Sequence, residues 1–186
     1  EEGGLRMIFG IEQRLETGRN LALETPDEGS SSIATTRFSF GLESRTPLDT
    51  LTFGASTALV IENSPDTDGT EVEFGRPDLT FGYTRAVPDA LFGVTAFYRE
   101  DDVDAFDDPA DLTEDADDGT ETTYGLGLRY EVGRTAPLGF AFEAAYEAVE
   151  YQDTTDPDLD DTETWRIGGE ARLRFSEVLS GTAGLS

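Results

Sequence analysis

Apolar residues recur at every second position through nine stretches of this sequence. In the clearest of them, Tyr124, Leu126 and Leu128 alternate with Gly125 and Arg129. A period of two places all the apolar side chains on one face of a β-strand. No comparable stretch repeats apolar residues every three or four positions, so we expect no long helix. The sequence therefore predicts an all-β chain whose strands follow one another as an antiparallel meander.

The nine stretches are spread evenly along one predicted domain, residues 1–186. The fourth is the weakest because Pro77 breaks its alternation, and the ninth begins near Ser180. The apolar series of the first eight stretches begin at Leu5, Ala34, Leu51, Leu79, Phe92, Tyr124, Phe140 and Trp165.

The connections between the predicted strands alternate in length. After the second, fourth, sixth and eighth strands they are short, and three of these four contain a Pro, which fixes φ for a tight turn. After the first, third, fifth and seventh strands they are longer and acidic, at about residues 16–32, 63–69, 101–120 and 152–162. Because alternate connections of a meander lie at opposite ends, we expect short turns at one end and long acidic loops at the other.

The composition excludes several classes of function. The chain has 13 basic residues, all of them Arg, against 40 acidic residues, and its net charge is −27. It contains no His and no Cys, which excludes a thiol nucleophile, a Cys/His zinc site and a Ser-His-Asp triad. A polyanion of this strength also repels nucleic acid. We therefore predict a protein that is not an enzyme, has no organic cofactor and has no nucleic-acid partner.

The apolar face can meet either of two surroundings. In a soluble sandwich or small barrel this face points inward and the polar face meets water. In a transmembrane barrel the apolar face points out to lipid and the polar face lines the lumen.

The charges on the predicted polar face favour the second arrangement. Nine Arg and eight acidic residues fall there, a net charge of +1, which leaves −28 for the turns, loops and termini. A face in water would share the acidity of the whole chain. A narrow lumen requires balance instead, because an unpaired buried charge is strongly unfavourable.

Arg and Glu side chains on this face are predicted to form a charge network, since Arg suits multidentate pairing in a confined space. The network either plugs and stiffens the barrel or forms a constriction that selects ions. A barrel of eight strands favours the plug, and one of twelve or more strands favours the constriction. The predicted members are Arg6, Glu12, Arg37, Glu43, Arg129, Glu131, Glu143, Glu147, Arg166, Glu170, Arg172 and Arg174.

Aromatic residues on the apolar face cluster near the strand ends. Two belts of aromatic rings are typical of the two interfaces of a membrane-spanning barrel. The belt near the short turns is predicted to contain Phe53, Phe81, Phe92, Phe140 and Phe175. The belt near the long loops is predicted to contain Tyr98, Tyr124, Tyr151 and Trp165.

Together these features resemble the outer-membrane β-barrels of Gram-negative bacteria. The resemblance is one of architecture, covers nearly the whole chain and depends on no short motif. It implies an up-and-down transmembrane barrel of at least eight strands, with its tight turns in the periplasm and its acidic loops outside the cell. The implied surroundings are outer-membrane lipid and lipopolysaccharide, with other surface proteins or a second copy as further partners.

Two features depart from that family. Its members usually end on an aromatic residue, whereas this chain ends at Ser186 within an apparent ninth strand, and it begins almost directly with the first strand. We therefore expect an incomplete barrel, or part of a barrel of more than eight strands.

The acidic loops are candidate sites for a divalent cation such as Ca²⁺ or Mg²⁺. Residues 66–71 space oxygen ligands two apart around Gly69, as in part of a calcium loop, without the full spacing of that motif. Loops that are merely solvated and kept soluble by their charge are the alternative. The candidate ligands are Asp66, Asp68, Glu71, Asp115, Asp117, Asp118, Asp156, Asp158 and Asp160.

Three functional hypotheses follow from the sequence. The first is an integral outer-membrane β-barrel, porin-like or structural and non-catalytic. The second is a soluble or secreted β-barrel that binds an apolar ligand in its interior. The third is a surface adhesion or assembly module whose acidic loops bind Ca²⁺ or another protein.

Overall fold

The computed structural model describes residues 3–19, 30–63, 70–103, 119–154, 159–174 and 180–185. These residues form ten β-strands. The strands are β1 (Gly4–Arg19), β2 (Ser30–Arg45), β3 (Asp49–Asn63), β4 (Thr70–Phe74), β5 (Asp78–Val87), β6 (Ala90–Asp102), β7 (Thr120–Val132), β8 (Leu138–Gln152), β9 (Thr162–Arg174) and β10 (Ser180–Leu185).

All ten strands belong to one antiparallel sheet. Its order is β1-β2-β3-β5-β6-β7-β8-β9-β10, with β4 paired to β3 beside β5. Each strand therefore pairs with its neighbours in the sequence, which confirms the predicted all-β, up-and-down meander. No described residue lies in a helix long and apolar enough to cross a membrane.

Strands β4 and β5 are the two parts of the predicted fourth strand. Leu59 of β3 pairs with Phe74 and Ser56 pairs with Asp78, so three residues of one strand oppose two of the other. This is a β-bulge, and it lies at Pro77, which cannot donate a hydrogen bond to the sheet. The bulge is closed by a 2.7 Å hydrogen bond from the Thr57 hydroxyl to the Gly75 carbonyl.

The register places all the predicted apolar series on a single face. One hydrogen-bonded row shows this across seven strands, because residues directly opposite each other point to the same side of a sheet. The row contains Leu42, Phe53, Phe81, Ala96, Leu126, Tyr146 and Trp165. We call this side the apolar face and the other side, which carries the alternate residues, the polar face.

The described residues form a single layer without a hydrophobic core. Ala148, 1% exposed, is the only buried hydrophobic side chain among them. Contacts between strands are confined to hydrogen-bonded neighbours in this part of the chain, so no second layer covers either face. All but three of the 26 exposed large hydrophobic side chains (the exceptions are Ile8, Leu48 and Phe97) lie on the apolar face.

The sheet formed by the described residues is open. Strand β1 pairs only with β2, and β10 pairs only with β9. The strands are also longer than the roughly ten residues predicted: β1 and β2 contain 16 residues each, and β3 and β8 contain 15.

The short turns are joined to one another by hydrogen bonds. The backbone N–H of Arg134, in the turn between β7 and β8, donates to the carbonyl of Asp89, in the turn between β5 and β6, at 3.1 Å. The Asp89 carboxylate accepts from the Thr135 hydroxyl at 2.8 Å and from the Thr135 N–H at 3.1 Å. The N–H of Ala86 donates to the Leu48 carbonyl at 2.7 Å, which links β5 to the turn between β2 and β3. These contacts hold the short-turn end in one arrangement.

Gly133 begins the turn between β7 and β8 and has a φ of 70°. A Cβ at this position would lie 2.3 Å from the Leu138 carbonyl oxygen. We expect Gly133→Ala to lower the free energy of unfolding by about 1–3 kcal/mol, because the left-handed conformation and the clash act together. Gly41→Ala is the matched control, since its Cβ would meet only Ile8 Cβ at 3.8 Å. Equal denaturant midpoints for the two variants would contradict this account of the turn.

The contact between Asp89 and Thr135 predicts a dependence of stability on pH. The hydrogen bonds from the Thr135 hydroxyl and N–H lower the pKa of Asp89 below its ordinary value of 3.8. The unfolded chain therefore binds this proton more readily, so the stabilisation is present above pH 4 and is lost as the pH falls through the folded-state pKa. We expect Asp89→Asn to lower the urea midpoint at pH 7 and to have a smaller effect at pH 3. Asp160→Asn, an exposed control, should show no such pH-dependent difference.

Candidate functional site

The candidate site is the polar face of the sheet. The register places every member of the predicted charge network on this face, although it does not bring all of them into contact. Arg6 lies directly opposite Glu43, and Arg129 lies opposite Glu143. Whether this face lines a lumen remains a prediction.

The best-connected ion-pair network lies near the short turns of β7 and β8. Arg129 donates to Glu131 at 2.6 Å and contacts Glu143 on the neighbouring strand at 2.9 Å. Arg134, in the following turn, lies 3.3 Å from the other oxygen of Glu131. The Glu131 side chain is only 16% exposed, accepts hydrogen bonds from Arg129 and forms an ion pair with Arg134. This network ties the turn to the wall of the sheet.

Further ion pairs lie along the same face. Arg99 lies 3.2 Å from Asp78, its direct partner in the register of β5 and β6. Two more pairs join residues two apart on one strand, Arg14 with Glu16 and Arg45 with Glu43. These side chains are largely exposed, and pairs of this kind contribute little to stability, about 0–1 kcal/mol.

Several predicted members of the network lack an ion pair with any other described residue. Glu12 and Arg37 lie directly opposite each other in the register of β1 and β2 but form no ion pair within 4 Å. The other members without one are Arg6, Glu147, Arg166, Glu170, Arg172 and Arg174. The sequence could place these residues on one face, but it could not determine which side chains meet.

The part of the polar face near the long loops is acidic. The strands extend beyond the predicted alternating stretches, and the added positions carry carboxylates on this face, including Glu71, Glu73 and Glu121. Glu62 lies directly opposite Glu71. The charge balance predicted for the polar face therefore applies to its part near the short turns, whereas the end near the long loops is negative.

Of the eight described aromatic residues of the two predicted belts, Tyr151 is the exception: it lies opposite Glu121, on the polar face, so its predicted place in the belt is wrong. The other seven lie on the apolar face, by the register of their strands. They are Phe53, Phe81, Phe92, Tyr98, Tyr124, Phe140 and Trp165. Phe175 lies outside the described residues.

Polar groups that the sequence analysis missed lie at the two ends of the apolar face. Near the short turns, the Tyr83 hydroxyl donates to Asp49 at 2.7 Å, and Arg85 lies 3.6 Å from the same carboxylate oxygen. Near the long loops, the Tyr124 hydroxyl donates to Glu150 at 2.6 Å. Tyr98 donates in the same way to Glu100. The short-turn end of this face therefore carries one Tyr hydroxyl bonded to a carboxylate, and the long-loop end carries two. In the sequence, these Tyr and acidic residues occupy the same alternating positions as the apolar residues of their strands.

Most of the candidate cation ligands lie outside the described residues: Asp66, Asp68, Asp115, Asp117, Asp118, Asp156 and Asp158. Glu71, at β4, and Asp160, just before β9, are exposed. Among the residues that the structure describes, no three metal-ligating side chains come together. A divalent-cation site therefore remains a prediction about the long loops.

Two substitutions test the network around Arg129. We expect Glu131→Gln to lower the free energy of unfolding by about 1.5 kcal/mol, because the Glu131 side chain is only 16% exposed, accepts from Arg129 and forms a second ion pair with Arg134. Glu143→Gln removes the same charge from a side chain that is 58% exposed, and should cost less than about 0.5 kcal/mol. Denaturant titration of the two variants measures the difference, and equal losses would refute the central role of Glu131.

No protein-family model, curated protein or solved structure matches this chain. The functional inference therefore depends on the geometry of the two faces of the sheet.

Proposed function

We propose that this chain forms the wall of an integral outer-membrane β-barrel, porin-like or structural and without catalytic activity. The observation that carries the proposal is the apolar face, which no described residue covers, which is continuous across the sheet and which carries charged side chains only at its two ends.

The energetics of this face favour an apolar medium over water. Full burial of one large apolar side chain contributes about 1.5–3 kcal/mol. If roughly twenty such side chains stay half-exposed to water, on the order of 20 kcal/mol of the free energy of apolar burial is lost. This loss exceeds the whole free energy of unfolding of a typical domain, about 5–15 kcal/mol. A single-layer sheet with this face in water is thus disfavoured, and lipid tails are one medium that would cover it.

The height of the apolar band fits the hydrocarbon layer. On β7 the band runs from Tyr124 to Val132, and on β8 from Leu138 to Ala148. At about 3.4 Å per residue and a tilt of about 35°, these lengths correspond to about 22–28 Å along the membrane normal. The apolar band of outer-membrane barrels is about 25 Å tall. The Tyr–carboxylate pairs then lie at the two interfaces, where aromatic rings with a polar tip are favoured.

The stagger of the strands supports closure into a barrel. The row of paired residues described above crosses β2 at Leu42, three residues from the short-turn end of that strand. It crosses β9 at Trp165, nine residues from the short-turn end of that strand. A shift of six residues over six strand spacings corresponds to a tilt of about 35°. Closed barrels have strand tilts of about 35–45°. Strands β1 and β10 run in the same direction, so antiparallel closure requires an odd number of further strands.

The aromatic contacts speak against the alternative of a soluble barrel with an apolar interior. In a small barrel of that kind, side chains from opposite walls fill the centre. Here every contact between rings of described residues joins one strand to itself or to its neighbour, as between Phe9 and Phe40 or between Tyr146 and Trp165. Phe9 is 76% exposed and Trp165 is 68% exposed, which fits an outward-facing surface in lipid.

The polar face supplies the lumen in this proposal. Its acidic end lies on the side of the long loops, and its balanced ion pairs lie on the side of the short turns. A negative mouth raises the local concentration of cations and disfavours anions. We therefore expect a barrel with an open lumen to prefer cations. A barrel whose lumen is plugged would have a structural role at the cell surface.

Trp165 is the single Trp of the chain and provides a direct test. We expect the refolded protein to insert into phosphatidylcholine vesicles and to lose most of its Trp fluorescence when the acyl chains are brominated, because the indole would then contact lipid. The measurement compares brominated with ordinary vesicles.

The matched control moves the Trp to the other face. In the double variant W165F/F97W the only indole replaces Phe97, on the polar face. Its fluorescence should be insensitive to bromine in the acyl chains. A monomeric, folded protein recovered in water without detergent, with Trp165 shielded from soluble quenchers, would instead establish the soluble barrel.

A further inference from the structure

A cavity of about 360 Å³ lies on the polar face between β7 and β10. Charged side chains from three strands line it: Arg129 and Glu131 from β7, Glu143 from β8, and Glu170 and Arg172 from β9. Its volume is in the range of small-molecule sites, about 300–1,000 Å³.

The charges in this cavity are not all used within the protein. Arg129 binds Glu131 and Glu143, and Arg134 adds a second cation to Glu131. Glu170 and Arg172 form no ion pair with any described residue. Among the described residues these two groups therefore lack an ion pair within 4 Å, although the Arg172 guanidinium donates to the Arg134 carbonyl at 3.5 Å and the charge of Arg129 acts on Glu170.

These two groups are neighbours on one strand and both line the cavity. Glu170 and Arg172 are two residues apart on β9, so both point to the polar face, with Cα atoms about 7 Å apart. Arg172 lies across Gly139, where an added Cβ would be 3.2 Å from its guanidinium nitrogen. Glu170 lies between two small residues, Ala141 and Gly184. A Cβ at Gly139 would also lie 2.6 Å from the Gly133 carbonyl oxygen, so this glycine lets the Arg172 guanidinium pack against the turn at one end of the cavity.

We propose that this cavity binds a small zwitterion of the α-amino acid class. Arg172 binds the ligand carboxylate through its fork of N–H donors, and Glu170 accepts from the ligand ammonium group. A ligand with only one charge would leave the other protein group unpaired, whereas a zwitterion satisfies both. In the proposed barrel this site faces the lumen, so α-amino acids become a class of solute for that lumen, and this step rests on the proposed function. Binding of the zwitterion itself does not require a membrane.

Equilibrium binding of glycine, acetate and methylammonium to the full chain tests the site. The measurement uses detergent micelles, or water if the protein proves soluble, so its result is independent of membrane insertion. We expect glycine to bind more tightly than either single-charge probe. Glu170→Gln and Arg172→Gln should each weaken glycine binding about tenfold, the loss of one charge-assisted hydrogen bond.

Glu12→Gln and Arg37→Gln are the matched controls. They make the same charge changes on β1 and β2, outside the cavity, and should leave glycine affinity unchanged. The proposal is overturned by the absence of glycine binding, by acetate or methylammonium binding as tightly as glycine, or by equal losses in the control variants. Circular dichroism of each variant establishes that it retains its β-structure.

Discussion

The structure depends on an apolar face that no part of the described chain covers. Hydrogen bonds between neighbouring strands satisfy the backbone, and the turns at one end fix their order, but neither interaction removes the large apolar side chains from water. In a soluble domain a second layer performs that role. The described residues supply no such layer, and this observation, more than any single residue, is the basis for proposing a membrane as the surroundings of the apolar face.

The period of two makes the separation of the two faces exact, and the register preserves it from strand to strand. A slip of one residue in any pair would move charged side chains such as Arg129 onto the apolar face, at a large cost in free energy. The hydrogen bonds between Asp89 and Thr135 and the left-handed Gly133 therefore have a role beyond local turn stability. They fix the register on which the chemical difference between the faces depends.

The sequence predicted the order of the strands and nine of the segments that form them, because alternation, turn residues and loop length all describe local structure; the tenth strand comes from the division of the fourth segment into β4 and β5. The interruption at Pro77 was visible for the same reason, and it became the bulge between β4 and β5. Strand length was underestimated, because backbone pairing extends past the alternating stretches through acidic positions such as Glu71 and Glu121. The ion-pair partners of individual charged side chains could not be predicted, because they depend on the register between strands. They also depend on turn residues such as Arg134, which alternation does not assign to either face of the sheet.

The two ends of the polar face have different electrostatic roles. Near the short turns, Arg and Glu neutralise one another, which is what a confined region of low hydration requires. Near the long loops, carboxylates such as Glu62 and Glu71 lie directly opposite each other, which is tolerable only where water or counter-ions screen them. The sequence therefore predicts that the polar face is hydrated near the long loops and confined near the short turns. The cavity beside Arg172 presents a guanidinium and a carboxylate in one place, which is the reason for proposing a dipolar ligand there.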